Sequence, residues 1–274
     1  MIAFLISIYP RHYRFIYNIR SKIINSSKEV DFYFIFSSES DYEKFLHKDI
    51  VKKIIVEIPS KYEKSIVTYK KFQALKRMSH ETKYEYFILC DSEIDIIEEN
   101  FTKENIQKKI DLIFDSKRIF AGEVVCNKAK NIIKHSINIL KNDEDKSILK
   151  KKVKEDVLYY WWSDIPVYKR EHLEDFFSKI NDDNLEWYHF DHKIYLNYLI
   201  LYHNFNLVNL TELINHKWSL ESMVIKNKEK LELLKDNKYS YSWIISQMYE
   251  YDKEYFIKNG TFLLYHLDRD YYFE

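Results

Sequence analysis

Glycine is nearly absent from this chain of 274 residues, which has Gly122 and Gly260 and no others. Motifs that need two nearby glycines are therefore excluded: the G-x-S-x-G elbow, the G-x-x-x-x-G-K-[ST] phosphate loop and the G-x-G-x-x-G dinucleotide fingerprint. Cysteine is as scarce. Cys90 and Cys126 form neither a C-x-x-C pair nor a disulfide framework, so a reducing compartment, the cytoplasm, is expected. No apolar run approaches the roughly 18 uncharged residues of a membrane-spanning helix. Charge of one sign is missing too: Lys+Arg and Asp+Glu both number 43. A dedicated nucleic-acid binder needs an excess of positive charge, so none is expected here. Histidines are scattered and form no H-E-x-x-H pair.

What is present belongs to a globular chain, since 46% apolar and 31% charged residues exclude disorder. Lys, Ile, Asn and Tyr are abundant in the manner of an AT-rich genome, so the aromatic excess is a weak sign of sugar or base stacking. Met1–Ile8 is apolar, lacks a basic n-region and breaks at Tyr9-Pro10-Arg11-His12; it reads as a buried strand and not a signal peptide. A helix is expected over Arg11–Ile24, strands over Asp31–Ser37 and Lys53–Ile58. Tyr62–Ser79 follows as a helix with Ile66, Tyr69, Phe72, Leu75 and Met78 on one face, then a strand over Tyr84–Cys90. This alternation predicts βαβ units and a mainly parallel sheet.

Further on, Thr102–Phe114 and Asn127–Leu140 read as helices around a strand at Arg118–Val125. Lys141–Lys154 reads as a solvated helix or a loop. Val157–Tyr168 is densely aromatic. His172–Ile180 and Asp191–Tyr202 are expected helices, Asn206–Leu210 a late strand, and Glu221–Asn259 a charged helical tail. With no Pro-, Gly- or Ser-rich linker, one domain over 1–274 is expected, residues 1–125 forming one half and 126–274 the other.

The chemistry gathers where the strand Tyr84–Cys90 runs into Asp91-Ser92-Glu93-Ile94-Asp95. Ligands in parallel sheets sit at the carboxyl ends of strands. Residues i and i+2 there point the same way, so Asp91 and Glu93 can meet one hard cation, Mn²⁺ or Mg²⁺, that also takes phosphate oxygens. Such an ion neutralises a departing diphosphate as a Lewis acid. The plainer role for these acids is to begin a loop or cap a helix.

Tyr69-Lys-Lys-Phe-Gln-Ala-Leu75 followed by Tyr84-Glu-Tyr-Phe-Ile-Leu-Cys-Asp-Ser-Glu-Ile-Asp95 resembles the donor half of GT-A-fold glycosyltransferases. In them a Lys-bearing helix precedes the strand that delivers a D-x-D motif. More loosely, Trp161-Trp-Ser-Asp-Ile-Pro166, Trp187-Tyr-His-Phe-Asp-His192 and His216-Lys-Trp218 resemble acceptor-side motifs of bacterial surface-polysaccharide transferases. The resemblance implies a GT-A, Rossmann-like α/β fold: a mixed, mainly parallel sheet flanked by helices, with a helical C-terminal part. It implies transfer of a sugar from a nucleotide donor, UDP-linked by default, to a glycan or lipid-linked glycan of a bacterial capsule or lipooligosaccharide. Asp91 would contact the donor ribose or sugar and Glu93 would bind the metal, Glu standing where the pattern has Asp. Asp95 is the alternative ligand, and His216 would complete the metal shell.

Other candidates follow from position. Tyr9 can stack on a base, and Ser92 lies within the acid triplet. Arg11, Arg14, Lys71 (or Lys70) and Lys217 can serve a diphosphate. Asp191 and Asp164 are candidates for the general base of an inverting transfer; their plainer roles are a helix cap and an Asx turn. Trp161, Trp162 and His192 are candidate acceptor contacts. Tyr239–Lys258 has the composition of an interfacial helix, which would put the chain at the inner face of the inner membrane; a packed terminal helix is the simpler expectation. A sugar nucleotidyltransferase and a catalytically silent glycan-binding module are the competing functions. The former usually has a Gly-rich loop after its first strand, where this chain has Ser7-Ile-Tyr-Pro-Arg-His12.

Overall fold

The computed structural model describes residues 1–62, 66–123, 127–153, 157–159, 167–209, 257 and 260–265. Strand β1, Ile2–Ser7, is buried throughout, as its unbroken apolar run requires of a strand covered on both faces. Strand β2 (Asp31–Phe36) lies parallel on one side of it, with β3 (Lys52–Ile55) parallel beyond. Strand β4 (Tyr86–Asp91) lies parallel on the other side, in a register from Ile2 opposite Tyr86 to Ser7 opposite Asp91. After β5 (Ile94–Ile96), β6 (Arg118–Glu123) and β7 (Val157–Tyr159), strand β8 (Val167–Lys169) returns antiparallel to β4. The central sheet thus runs β3-β2-β1-β4-β8. With β9 at Asn206–Asn209 and β10 at Leu263–Tyr265, β7-β6-β9 forms a second sheet and β10 pairs antiparallel with β5.

The helix expected over Arg11–Ile24 is broken into a 3₁₀ turn at Pro10–His12, α1 (Tyr13–Asn18) and α2 (Arg20–Ser26). Tyr9 is held extended before Pro10, at φ −129° and ψ 151°, as the proline ring demands. The Ile19 amide turns to Ile16 at 3.2 Å, an i→i−3 bond that tightens and ends the first helix. Helix α3, Glu39–Glu43, was not expected; Ser38 caps it by accepting from the Asp41 amide at 3.1 Å.

Helix α4 spans Ile66–Glu81, later than expected, and a 3₁₀ turn occupies Ser60–Tyr62. Its buried face also differs. Phe72, Leu75 and Met78 are buried, but Thr68, Lys70, Lys71 and Ala74 join them in place of Ile66 and Tyr69. Tyr69 instead stacks on Tyr62, ring centroids 4.1 Å apart. Helix α5 (Lys103–Ser116) is capped by Thr102 and ends at Lys117 in the left-handed region. Beyond α6 (Asn127–Asn138), the charged stretch resolves as helix α7, Asp143–Lys152. Its acids occupy the first turn and three of its four lysines, Lys150, Lys151 and Lys152, the last, matching the helix dipole. Helices α8 (Arg170–Lys179) and α9 (Asp191–Tyr202) follow, α9 with the limits expected of it. No helix among the described residues is long and apolar enough to cross a membrane. The Glu221–Asn259 tail lies outside the described residues apart from residue 257.

One aromatic cluster joins distant segments: Phe4 of β1 lies 5.4 Å from Phe32, 5.3 Å from Phe101 and 6.4 Å from Phe262. A second joins α8 and the end of α9, where His172 stacks on His203 at 3.8 Å between centroids. Tyr195 and Tyr198 lie 3.0 Å from His172 Nδ1 and His203 Nε2 respectively. Burial pushes His172 down to about 4, with His203 and Lys169 adding to the shift; burial also lowers His203. A histidine held neutral by folding contributes fully above its unfolded value, near 6.5. That contribution falls away as pH drops from about 6.5 toward 4. The urea midpoint is expected to decline over this window, and His172→Phe to flatten the decline; parallel profiles would refute the assignment.

Candidate active site

Chain order makes the crevice. From β1 the next strand is laid on one side and β4 on the other, so the loops that follow β1 and β4 part above their carboxyl ends. Ser7 and Asp91 are register partners at that edge. The loop after β1 contributes Tyr9 and His12, Ser37 follows β2, and Ser92 and Glu93 follow β4. Helix α4 brings Lys70 and Lys71, β8 brings Tyr168, and the first residue of α9 is Asp191.

Lys71 is the centre of charge. It is 1% exposed, and its Nζ stands 3.1 Å from Asp91 Oδ1 and 3.3 Å from Asp191 Oδ1. Burial works against the ammonium, but Asp191 and Asp91 outweigh it and hold Lys71 above the ordinary lysine range. Tyr168 donates to the other Asp191 oxygen at 2.9 Å. Burial pushes the Asp191 carboxyl up, opposed by Lys71 and reinforced by Asp91.

Lys70 is buried as deeply but meets neutral acceptors. Its Nζ donates to the Ile8 carbonyl at 2.8 Å and lies 3.4 Å from Ser37 Oγ and 3.6 Å from the Tyr9 ring centroid. Burial brings its ammonium down to about 7, with Asp91 pulling it back up. Burial and the nearby Asp91 keep the Tyr9 phenol protonated. His12 Nδ1 meets Glu93 Oε1, both side chains largely enclosed. Among the described residues Ser92 Oγ is buried at this edge without a hydrogen-bond partner, and the buried hydroxyls of Ser7 and Tyr9 have only each other. Buried polar atoms are rarely left so, and Ser92 beside the Ser7–Tyr9 pair leaves polar capacity at this edge.

Thus Tyr9, Lys71, Asp91, Ser92, Glu93 and Asp191 come to one edge. Asp95 does not join them: it pairs with Lys22 at 2.5 Å and accepts from the Ile96 amide. Arg11 and Arg14 are exposed near the same loop, Arg14 lying 5.0 Å from the Phe15 ring. His192, half-buried beside Asp191, has its ring 5.8 Å from Phe190. Trp161, Trp162, Asp164, His216 and Lys217 lie outside the described residues. Sequence reasoning missed Ser7, His12, Ser37 and Tyr168. His12 was open to it, being in the same turn as Arg11; Tyr168 had no signal beyond the aromatic richness around it.

Among the described residues no group of three or more His, Cys, Asp or Glu side chains forms a metal cage. The donor set fits an ion bound by one or two carboxylates that fills its shell with substrate phosphates and water, the usual habit of Mg²⁺. Asp91 and Glu93, the acids expected to hold it, are each engaged by a basic side chain, Lys71 and His12 respectively.

The fold and this crevice define a Rossmann-like α/β protein with a buried cluster of charged side chains at the switch point of its sheet. No protein-family profile matches the chain, and no curated protein does. Among solved structures, residues 1–349 of S. aureus TarS overlay with a TM-score of 0.37 and 10% sequence identity, covering 100% of this chain and 73% of that one. That overlap is too loose to assign a family.

Removing one partner from a buried ion pair leaves uncompensated charge and costs about 3–5 kcal/mol. Lys71→Met is expected to destabilise by that amount in urea unfolding. The double variant Lys71→Met/Asp191→Leu should lose clearly less than the sum of the single losses. Additivity to within about 0.5 kcal/mol would show that the two residues are uncoupled.

Proposed function

We propose that this chain is a glycosyltransferase that takes a sugar from a nucleoside diphosphate, UDP by default, and delivers it to a hydroxyl of a bacterial surface glycan or lipid-linked glycan. The observation that carries this reading is the Asp91-Ser92-Glu93 triplet at the carboxyl end of β4, beside the switch point, with Asp91 facing Lys71. The likeness of Lys70–Asp95 to the donor half of GT-A enzymes agrees with it.

In this reading Tyr9 stacks on the base and Asp91 meets the ribose or sugar. Lys71, Arg11, Arg14 and Lys217 supply positive charge for the diphosphate. Asp91 and Glu93 would hold Mn²⁺ or Mg²⁺, with His216 completing the shell, and the ion supplies Lewis-acid neutralisation of the leaving diphosphate. Asp191 is better suited to orienting Lys71 than to taking a proton, because Lys71 and Tyr168 occupy its two oxygens. Asp164 stays the candidate base for an inverting transfer. Trp161, Trp162 and His192 serve the acceptor, and Tyr239–Lys258 offers contact with a membrane surface.

The silent glycan-binding module is favoured by one observation: Asp91 faces Lys71, Glu93 faces His12 and Asp95 faces Lys22. Acids already matched in this way have less call for an added ion. Thermal shift against UDP, GDP, CMP and TDP, with and without Mn²⁺, separates the two readings, because a ligand that binds the folded state raises its melting temperature. A shift with one diphosphate that requires Mn²⁺ and is lost in Glu93→Ala is the expected result. A shift that persists without metal moves the assignment to a metal-free donor site, and no shift with any nucleotide overturns the transferase reading.

A further inference from the structure

Two adjacent lysines on one helix are both buried at the same edge of the sheet, an arrangement that costs desolvation twice. Lys71 is compensated by carboxylates. Among the described residues Lys70 has none within contact distance, and its surroundings account for it in another way. A lysine ammonium has three donors and no acceptor. Around Lys70 stand three electron-rich neighbours: the Ile8 carbonyl at 2.8 Å, Ser37 Oγ at 3.4 Å and the face of the Tyr9 ring at 3.6 Å. They come from the end of β1, the end of β2 and the loop after β1. An ammonium engaged on three sides has no donor left for a phosphate. It does have the geometry to tie two strand ends and one aromatic ring into a fixed arrangement.

We propose that Lys70 is a positioning residue, which clamps the loop after β1 to the ends of β1 and β2 and so fixes the Tyr9 ring in the attitude that receives a nucleobase. The inference rests on the donor-site reading above and divides the labour of the lysine pair: Lys71 bears charge toward the acids and the diphosphate, while Lys70 holds the platform. Asp91, Glu93, Lys71 and Asp41 are the charged groups whose fields reach it, and none of them makes one of its three contacts. The turn it clamps is short. The His12 amide closes it by donating to the Tyr9 carbonyl at 2.8 Å, and Ile8 is tied to β2 through the Ile35 carbonyl at 3.1 Å.

The test uses the full chain with two variants, Lys70→Met, which keeps the length of the side chain, and Ser37→Ala, which keeps the lysine and removes one acceptor. Loss of these contacts is expected to speed amide exchange at Arg11 and His12 about tenfold in Lys70→Met without any ligand present. In UDP titrations the dissociation constant should rise about tenfold in Lys70→Met and by a smaller factor in Ser37→Ala. In donor hydrolysis KM should rise while kcat holds within about twofold, the pattern of lost binding rather than lost chemistry. Unchanged exchange at Arg11 and His12 in a folded Lys70→Met would overturn the clamp. So would faster exchange together with unaltered UDP affinity, since the ring's attitude would then not matter. A wild-type protein that binds no nucleotide at all defeats the donor-site reading instead, and the exchange measurement still decides whether the clamp exists.

Discussion

One buried ammonium shared by two carboxylates organises this protein. Moving Lys71, Asp91 and Asp191 out of water carries a penalty of several kcal/mol per ion, which close mutual pairing has to offset. The distances of 3.1 and 3.3 Å and the Tyr168 hydroxyl on the remaining Asp191 oxygen provide that pairing. The four residues come from α4, β4, β8 and α9, so the charge balance of the interior exists only when elements 120 positions apart are docked. Parallel-sheet packing brings β4 to β1. The ion group then joins α9 to the sheet edge, because the helix's first residue is one of the two acids.

The apolar interior supports this arrangement without directing it. Phe4, Phe32, Phe101 and Phe262 touch in tilted, edge-on and stacked pairs, within the centroid range aromatic rings prefer. Their cluster backs β1 and leaves the strand's carboxyl end to polar side chains. Apolar burial supplies the bulk of the stability, and the buried polar groups specify which arrangement is adopted.

The sequence made the fully apolar strands legible, since IAFLIS and the run into Cys90 have no polar face to hide. It also located the acids, because an apolar strand that stops at Asp91 and Glu93 must present them at a sheet edge. Helix α9 could be placed to the residue from Asp191 and the apolar run behind it. Helix α4 was harder. Tyr69-Lys-Lys looks like a solvated face, and only distant partners make Lys70 and Lys71 inward-facing; spacing within a helix cannot report Asp191, Ile8 or Ser37. The split of the first helix at Ile19 depends on one i→i−3 bond that no residue type announces. Helix α3, by contrast, could have been found: Ser38 followed by acids in the next turn is a capping signal.

Strand β10 gives the acid loop its backing. It pairs with Ile94–Ile96 directly after Glu93, with Phe262 in the central aromatic cluster and Asn100 donating to the Thr261 carbonyl at 2.9 Å. A chain emerging from the ribosome folds from its amino end, so β1, β2 and β4 can pair long before residue 263 exists. During that interval one edge of β5 and one side of Phe4 and Phe101 lack their partners. Synthesis therefore passes through a state in which the sheet can form while its acid loop is not yet braced by β10.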